Sequence, residues 1–312
     1  MAKKGALEIS FGWLFAIIAG AVILFFAIYF SAKLINTQQG TISAQTGKEI
    51  GILLDPLETS FESAQTTSIT IPAETRIHNS CDASLSDFGK QLIQLDQKNF
   101  GKWVVTNVNV SFENKYIFSN SEIQGNQFYI FSKPFNFPFK VADLFYMTSS
   151  NDVYCFVDAP NDISTEITDL NQSNLLIENC SGDEIQVCFG NSNCDIYVNY
   201  NAGYVEKNGY DMYFAGTGTD TGNALMYAAI FSNSNVYECQ LKRLMAREAK
   251  IALLYEDKES RELQECEKNL GGSLTELSYS AQHLKNSAEL TGIKNQVDLL
   301  DYQNTGRRCP LW

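Results

Sequence analysis

The sequence lacks the patterns from which most catalytic and metal sites are built. It has two histidines in 312 residues, and neither stands in a hydrolase motif such as G-x-S-x-G or H-E-x-x-H. No two cysteines are spaced as C-x-x-C, which is the usual spacing of zinc ligands. The glycine-rich stretch 215–223 lacks the Gly-Lys-Ser/Thr ending of a phosphate-binding loop. The sequence therefore predicts no catalytic residues, no metal site and no cofactor.

Positive charge is also scarce in this chain. Lysine and arginine together number 23, against 36 aspartate and glutamate residues, and the formal net charge is -13. Proteins that bind nucleic acid neutralise phosphates with lysine and arginine, so this balance argues against nucleic acid as a partner. It argues equally against binding to the surface of anionic lipids.

Charge is absent altogether from the run Phe11 to Phe30. A helix over this run would be about 30 Å long, which matches the hydrocarbon core of a bilayer. A secretory signal has a shorter apolar region that ends in small residues, whereas Phe30 stands two residues before Ala32. A buried core helix of this length would show a polar edge. We therefore predict a retained, single-pass transmembrane helix with the lipid bilayer as its partner.

The charges that flank this run predict its orientation. Lys3, Lys4 and the terminal amine precede it, whereas only Lys33 follows it closely. Lysine and arginine are enriched on the cytoplasmic side of membrane proteins. We therefore predict a cell-membrane protein whose N-terminus lies in the cytoplasm and whose main domain, within residues 34–312, is extracytoplasmic.

All eight cysteines fall in this predicted outer part. An even number of cysteines in an oxidising compartment predicts up to four disulfides. A metal site is the alternative, but the scarcity of histidine and the absence of closely paired cysteines argue against it. Disulfides are therefore the preferred interpretation.

Residue patterns divide the chain into four regions of an α+β protein. Residues 1–33 form the signal-like segment and transmembrane helix, and 34–66 form a stalk that stays helical to about Leu54, before Pro56. Residues 67–235 contain short runs rich in β-branched and aromatic residues, which are typical of strands, and form a β-rich, disulfide-stapled outer domain. Residues 236–312 carry apolar residues at helical spacing, which predicts an antiparallel helical hairpin packed on that domain.

Three local patterns within these regions carry further predictions. The pair Asn208-Gly209 predicts a two-residue hairpin turn, because both residues tolerate positive φ. The stretch 159–170 predicts a helix that interrupts the strands. The aromatic-rich run 128–147 predicts either a surface on which sugars stack or part of the core, and we favour the core because aromatic stripes usually fill it.

The helical hairpin leads to a prediction of disulfide pairing. Its helices, near Tyr237–Lys268 and Ser273–Gln303, would be about 48 Å and about 46 Å long, so the chain end would return to where the hairpin began. Apolar residues after Ala288 continue the second helix on a shifted register. Cys239 and Cys309 would then lie within the 7 Å or so that bonded Cα atoms require. We predict a Cys239–Cys309 bond and, beside it, the pairs Cys188–Cys194, Cys155–Cys180 and Cys81–Cys266.

Two features distinguish the N-terminal segment from a plain anchor. Glu8 precedes the charge-free run, where a carboxylate is costly unless it stays at the interface, finds a partner or is stabilised by the helix dipole. Gly12, Ala16 and Gly20 recur every four residues and form a seam of small residues along which a second helix can approach closely. The alternative explanation for the seam is the ordinary composition of a membrane helix.

The segment KKGALEISFGW, residues 3–13, resembles the class III signal segment of archaeal type IV pilin-like proteins. In that family a Lys/Arg-Gly pair precedes the cleavage site of a prepilin-type peptidase, and an ALE-type motif and a Gly-Trp pair follow. The resemblance implies processing between Gly5 and Ala6 by such a peptidase. It also implies that Glu8 neutralises an amine or stabilises assembly, and that the helix packs with identical subunits in a filament core or remains in the membrane.

Two classes of function follow from these observations. The first is a membrane-anchored cell-surface protein that acts as a pilin-like structural subunit and assembles through its N-terminal helix. The alternative is a non-polymerising anchored adhesin or receptor-like binding module. An extracytoplasmic hydrolase is a remote third candidate, since carboxylates are plentiful but no pair of them stands out.

Overall fold

The computed structural model describes residues 11–54, 65–84, 87–99, 101–105, 109–190, 193–215, 220–262 and 269–312. These residues form an α+β protein, as predicted, with a long N-terminal helix, two β-sheets and several C-terminal helices. The helices are α1 (Phe11–Leu54), α2 (Asn161–Leu170), α3 (Asp220–Phe231), α4 (Ser234–Glu262), α5 (Gly271–Gln282) and α6 (Leu290–Thr305). The strands are β1 (Gln65–Asp82), β2 (Lys90–Asn99), β3 (Lys102–Val104), β4 (Asn109–Phe112), β5 (Tyr116–Phe118), β6 (Glu122–Asn136), β7 (Lys140–Ser149), β8 (Tyr154–Val157), β9 (Leu175–Ile177), β10 (Ile185–Cys188), β11 (Ile196–Asn199), β12 (Tyr204–Lys207) and β13 (Tyr210–Tyr213).

Helix α1 runs without a break for 44 residues, or about 66 Å. It is helical through Leu54, and the predicted end before Pro56 falls among residues 55–64, which lie outside the described residues. The helix contacts strands β2 and β4, while none of its apolar segment Phe11–Ser31 is buried against the rest of the chain. The apolar segment therefore projects from the folded part of the molecule, which we call the head (residues 65–312).

The first sheet has the strand order β3-β2-β1-β6-β7-β5, and β4 pairs with β2 as well. Strand β1 pairs antiparallel with both β2 and β6. Alternation along β1 buries Ile77 and leaves its neighbour His78 partly exposed, as expected for a sheet with one face on the core. The register between β1 and β6 shifts between Thr70 and Thr75, on either side of Pro72, which cannot donate a ladder hydrogen bond.

The second sheet has the order β13-β12-β11-β10-β8-β9 and is mixed. Strands β8 to β11 pair in parallel, and α2 supplies the crossover that a parallel β8–β9 pair requires. The predicted hairpin turn is confirmed between β12 and β13, where Asn208 and Gly209 have φ values of 54° and 76°. The predicted helix within 159–170 is confirmed as α2.

Helix α3 lies in a core that the two sheets and the C-terminal helices share. Its residues from Ala224 to Phe231 are all buried, as expected of a helix that is apolar on every side. The aromatic run 128–147 contributes to this core, so the core interpretation is confirmed for its buried members, among them Phe131, Phe135, Phe137 and Tyr146. The core continues past residue 236, where the sequence suggested a boundary.

The C-terminal helices depart from the predicted hairpin. The single return helix predicted from Ser273 to Gln303 is wrong, because the chain forms α5 and α6 with a break at 283–286 and a 3-10 turn at Ser287–Glu289. Helix α5 is antiparallel to α4, since Leu270 before α5 donates to Glu259 and Ser287 after α5 donates to Glu238. Helix α6 then reverses the chain again and returns to the far end of α4.

This second reversal explains why the predicted long-range disulfides are wrong. Arg307, just after α6, donates a hydrogen bond to Glu259 near the end of α4, whereas Cys239 lies near the start of α4. Cys239 bonds instead to Cys81 at the end of β1, with Cα atoms 6.0 Å apart. This bond contradicts both Cys239–Cys309 and Cys81–Cys266. Cys309 is itself disulfide-bonded, and Cys266 lies outside the described residues.

The two short-range disulfides are confirmed. Cys155 in β8 bonds to Cys180 after β9, and Cys188 in β10 bonds to Cys194 before β11. Their Cα atoms lie 5.9 Å and 6.2 Å apart. Both bonds tie together connections within the second sheet, with sequence separations of 25 and 6 residues, so the local pattern was enough to predict them.

Candidate membrane-anchoring and assembly site

The apolar segment of α1, Phe11–Ser31, has no cover from the rest of the chain. It is 21 residues long with a mean hydropathy of 2.6, and none of it is buried. Large side chains such as Phe11 and Trp13 are 85% and 69% exposed. Burying one large apolar side chain is favourable by about 1.5–3 kcal/mol, so a surface of this kind is unfavourable in water. Its length and composition suit a bilayer or contact with other apolar helices.

The seam of small residues predicted from the sequence lies on this segment. Gly12, Ala16 and Gly20 are all within α1, and residues four apart lie on one side of a helix. A Cβ atom placed on Gly12 or on Gly20 would meet nothing within 4 Å. The packing of the chain itself therefore does not require glycine at either position. The seam is open to a second helix, which could approach its backbone closely.

Aromatic side chains gather at the end of the segment that faces the head. Phe25 stacks on Tyr29 with ring centroids 6.4 Å apart, and Phe26 stacks on Phe30 at 6.1 Å. Tyr29 is 52% exposed, and Lys33 follows one turn later. Aromatic residues with a cation beyond them are typical of the interface between a bilayer and water. This end of the segment therefore suits the interface between a bilayer and water.

No protein-family model, curated protein or solved structure matches this chain.

Three of the residues predicted for this site lie outside the described residues. Gly5 and Ala6, which would flank the processing site, and Glu8, which would act in assembly, all precede Phe11. The resemblance to pilin-like proteins rests on this same stretch. Processing and the role of Glu8 therefore stay predictions, while the seam and the apolar surface have a defined geometry.

In the head, each of the two histidines has local partners. The Nε2 atom of His78 lies 2.8 Å from Asp96 Oδ2, and its Nδ1 atom lies 3.4 Å from Glu122 Oε2. The Nδ1 atom of His283 lies 2.8 Å from the carbonyl oxygen of Tyr279, and the two rings are 4.2 Å apart. The histidines thus belong to two separate local arrangements, on β1 and after α5.

Arg243 is an organising residue of the head that the sequence analysis missed. It is 1% exposed, yet its guanidinium donates to the carbonyl oxygens of Phe88, Glu113 and Lys115 at 2.7–2.9 Å and lies 4.7 Å from the ring centre of Tyr116. Burial lowers its pKa, and the neighbouring Tyr116 and Glu113 partly offset this. Arg243 therefore joins α4 to the connections around β4. The only sequence signal was a cation among the apolar positions of a helix.

Helix α4 also buries two carboxyl groups in different ways. Glu259 forms an ion pair of 2.7 Å with Arg307, and both side chains are at most 1% exposed. Glu248 is fully buried, and neither of its carboxyl oxygens has a hydrogen-bond partner among the described residues. Burial raises the pKa of Glu248 well above its ordinary value. Helix α4 thus contributes one carboxylate in an ion pair, Glu259, and one carboxyl group that favours its neutral form, Glu248.

Proposed function

We propose that this chain is a membrane-anchored cell-surface protein that assembles with identical subunits through α1. The exposed apolar segment Phe11–Ser31 carries this proposal. In this arrangement the segment spans the bilayer or packs with its counterparts, the N-terminus is cytoplasmic, and the head lies outside. The disulfides of the head support the outer location, because such bonds persist in oxidising compartments.

The continuity of α1 supports a structural role. The helix is about 66 Å long, roughly twice the thickness of the hydrocarbon core. A single helix therefore runs from the apolar segment to contacts with β2 and β4 of the head. Subunits that pack along the seam of Gly12, Ala16 and Gly20 would consequently hold their heads at a fixed distance from the packed helices.

An anchored binding module is the second candidate, and one feature of the second sheet favours it. Tyr197, Tyr204 and Tyr213 form a row across β11, β12 and β13, with neighbouring ring centroids 6.4 Å and 5.6 Å apart. They are partly exposed, while the residues that alternate with them on these strands are buried. Partly exposed tyrosines are common where proteins bind partners.

Topology is tested by adding protease to intact cells that carry the full chain with a tag at each end. We expect digestion of the head and protection of the residues before Lys33, together with the N-terminal tag wherever residues 1–5 are retained. Protection of the head would contradict the proposal. Peptide analysis of the same protein tests processing, and a first residue at Ala6 is expected, whereas Met1 or Ala2 favours the anchored binding module.

Assembly is tested by Gly20→Leu with Ala21→Leu as its matched control. Both changes put a large side chain in place of a small one, but Ala21 lies on the other side of α1 from the seam. We expect Gly20→Leu to abolish filaments or oligomers seen by negative-stain microscopy and sedimentation, and Ala21→Leu to retain them. Equal behaviour of the two variants would contradict assembly through the seam.

A further inference from the structure

A lysine and an asparagine, both partly buried, meet where the two sheets of the head come together. Lys207 ends β12 of the second sheet, and Asn120 follows β5 of the first. The Nζ atom of Lys207 lies 3.1 Å from Asn120 Oδ1. It also lies 3.0 Å from each of the carbonyl oxygens of Ile230 and Ser232, at the end of α3. Three protein groups thus fix the position of one amine.

All three partners accept hydrogen bonds, so the contacts suit the ammonium form of Lys207, which donates one N–H group to each of them, including Asn120 Oδ1. Burial lowers the pKa of Lys207 to about 8, although the nearby charge of Asp152 partly offsets the effect. A neutral amine has two N–H groups and one lone pair. The carbonyl oxygens of Ile230 and Ser232 can only accept hydrogen bonds, so they take both N–H groups. When Lys207 loses the proton that it donates to Asn120 Oδ1, the lone pair of the neutral amine faces the carboxamide, and an unprotonated lysine amine is a nucleophile.

The carboxamide of Asn120 is oriented by its other contact. The side chain of Asn120 hydrogen-bonds the hydroxyl of Tyr154, which leaves Oδ1 for Lys207 and directs the amide NH2 group at Tyr154. Tyr154 is 1% exposed. Asp152 acts electrostatically on both Lys207 and Tyr154, and burial raises its pKa. A proton donor therefore lies beside the nitrogen that would leave, and a second acidic group lies nearby.

We propose that Lys207 and Asn120 form an intramolecular isopeptide bond that covalently joins the two sheets. The lone pair of Nζ attacks Cγ of Asn120, and the electrons of the carbonyl double bond move onto Oδ1. When the double bond forms again, the Cγ–Nδ2 bond breaks and its electron pair leaves on nitrogen. The proton lost from Nζ passes through the Tyr154 hydroxyl to this nitrogen, which departs as ammonia. The reaction needs no oxidant, reductant or further reactant.

A more deeply buried lysine provides an internal comparison. Lys133 is 7% exposed and forms an ion pair with Glu166, whose other oxygen accepts a hydrogen bond of 3.0 Å from Tyr227. Its partner is a carboxylate, which is a poor electrophile, and a bond between them would release water rather than ammonia. Burial alone therefore does not select Lys207. The carboxamide partner and the two carbonyl acceptors do.

The bond would add a connection that the described disulfides do not supply. Cys155–Cys180 and Cys188–Cys194 lie within the connections of the second sheet, and Cys81–Cys239 joins β1 to α4. A Lys207–Asn120 bond would join the first sheet directly to the second and close a loop of 87 residues. Reducing agents would leave it intact.

The test is mass spectrometry of the full chain, reduced and denatured. We expect the protein to be lighter than its reduced sequence by one molecule of ammonia. A tryptic digest should contain a branched peptide in which the segment around Lys207 is linked to the segment around Asn120, and trypsin should fail to cleave after Lys207. Linear peptides that contain unmodified Lys207 and Asn120 would overturn the proposal, whatever the N-terminus of the protein.

Two variants make the assignment specific. Lys207→Arg keeps a positive charge but cannot attack, because guanidinium stays protonated, so the loss of ammonia should disappear. Lys133→Arg is the matched control, and the branched peptide should remain in it. Ammonia loss that persists in Lys207→Arg would overturn the proposal. The peptide map of the unaltered protein decides the question even where a variant does not fold.

Discussion

Between Phe11 and Ser31 large apolar side chains stand exposed, whereas in the head Arg243, Glu248 and Glu259 are almost completely buried. The first arrangement is stable only if something outside the chain covers it. The second is stable because the chain itself supplies most of the partners, as for Arg243 and Glu259. The apolar segment therefore needs lipid or another chain to cover it, whereas the buried polar groups of the head are mostly stabilised by contacts within the same chain.

The largest effect is expected from breaking the buried ion pair. Arg307→Met leaves Glu259 charged in an apolar interior, which costs about 3–5 kcal/mol of unfolding free energy. Arg261→Met is the control, because its partner Asp257 and Arg261 itself are 60% and 76% exposed, and such pairs contribute less than about 1 kcal/mol. Denaturant unfolding of the full chain in detergent measures both. Equal losses would mean that burial of the pair is unimportant.

A charge introduced into the apolar segment should disfavour insertion of the segment into a membrane and leave the stability of the head unchanged. Val22→Arg is expected to disfavour insertion by about 2.5–3.5 kcal/mol if Val22 lies near the bilayer centre. The melting temperature of the head should stay the same, since Phe11–Ser31 is not buried in it. Alkaline extraction of membranes measures insertion, and thermal unfolding measures the melting temperature of the head. Val105→Arg, at a 63% exposed position of the head, should change neither.

Replacing the buried unpaired carboxyl group should stabilise the head. Glu248→Met removes a polar group that has no partner, which is expected to raise the unfolding free energy by about 1–3 kcal/mol at neutral pH. The folded state raises the pKa of Glu248 above its ordinary value of 4.5, so the folded state holds a proton that the unfolded chain loses. Stability from this group is therefore full below pH 4.5 and is lost as pH rises toward the folded pKa.

Unfolding curves measured from pH 4 to pH 8 test this directly. The decline in stability with rising pH should be smaller in Glu248→Met than in the unaltered protein. If the unfolding free energy declined equally with pH in the two proteins, groups other than Glu248 would be responsible for the pH dependence. Far-ultraviolet circular dichroism at each pH serves as the control for a common folded state.

The smallest effects concern single glycines in the head. Gly209→Ala should cost about 1–2 kcal/mol, because its φ of 76° lies in the left-handed region although its Cβ would meet no atom within 4 Å. Gly292→Ala, inside α6 with equal space, should instead stabilise by about 0.5–1 kcal/mol. Opposite signs in thermal unfolding would show that backbone conformation, rather than space, distinguishes the two positions. Equal signs would contradict this.

The sequence was most informative where a feature depends on neighbouring residues. The Asn208-Gly209 turn and the Cys188–Cys194 disulfide rest on sequence separations of six residues or fewer, the apolar run rests on a continuous stretch, and Cys155–Cys180 spans 25 residues. The predicted return helix failed because its break depends on tertiary contacts. Asn286 accepts a hydrogen bond from the backbone of Ala288, and Ser287 donates to Glu238 of α4. The shift in the spacing of apolar residues after Ala288 was the sequence pattern that indicated this break.

The buried polar groups could not be predicted because their partners lie far away in sequence. Arg243 reaches carbonyl groups about 130–155 residues before it, and Lys207 meets Asn120 87 residues away. Periodicity identifies which side chains face a core, but it does not tell which polar atoms will meet there. For the apolar segment, the composition of the sequence predicts an exposed apolar surface. It does not predict whether lipid or another helix covers that surface.

The bond between Cys81 and Cys239 sets an order of events during synthesis. The two cysteines are 158 residues apart, which at about 5–20 residues per second is a delay of roughly 8–32 s. Cys155, Cys180, Cys188 and Cys194 all emerge within that delay and can each react with Cys81 before its proper partner exists. Wherever Cys81 has reacted with one of these earlier cysteines, its bond to Cys239 requires thiol–disulfide exchange, so the yield of correctly bonded protein is a kinetic property of the cell as well as of the fold.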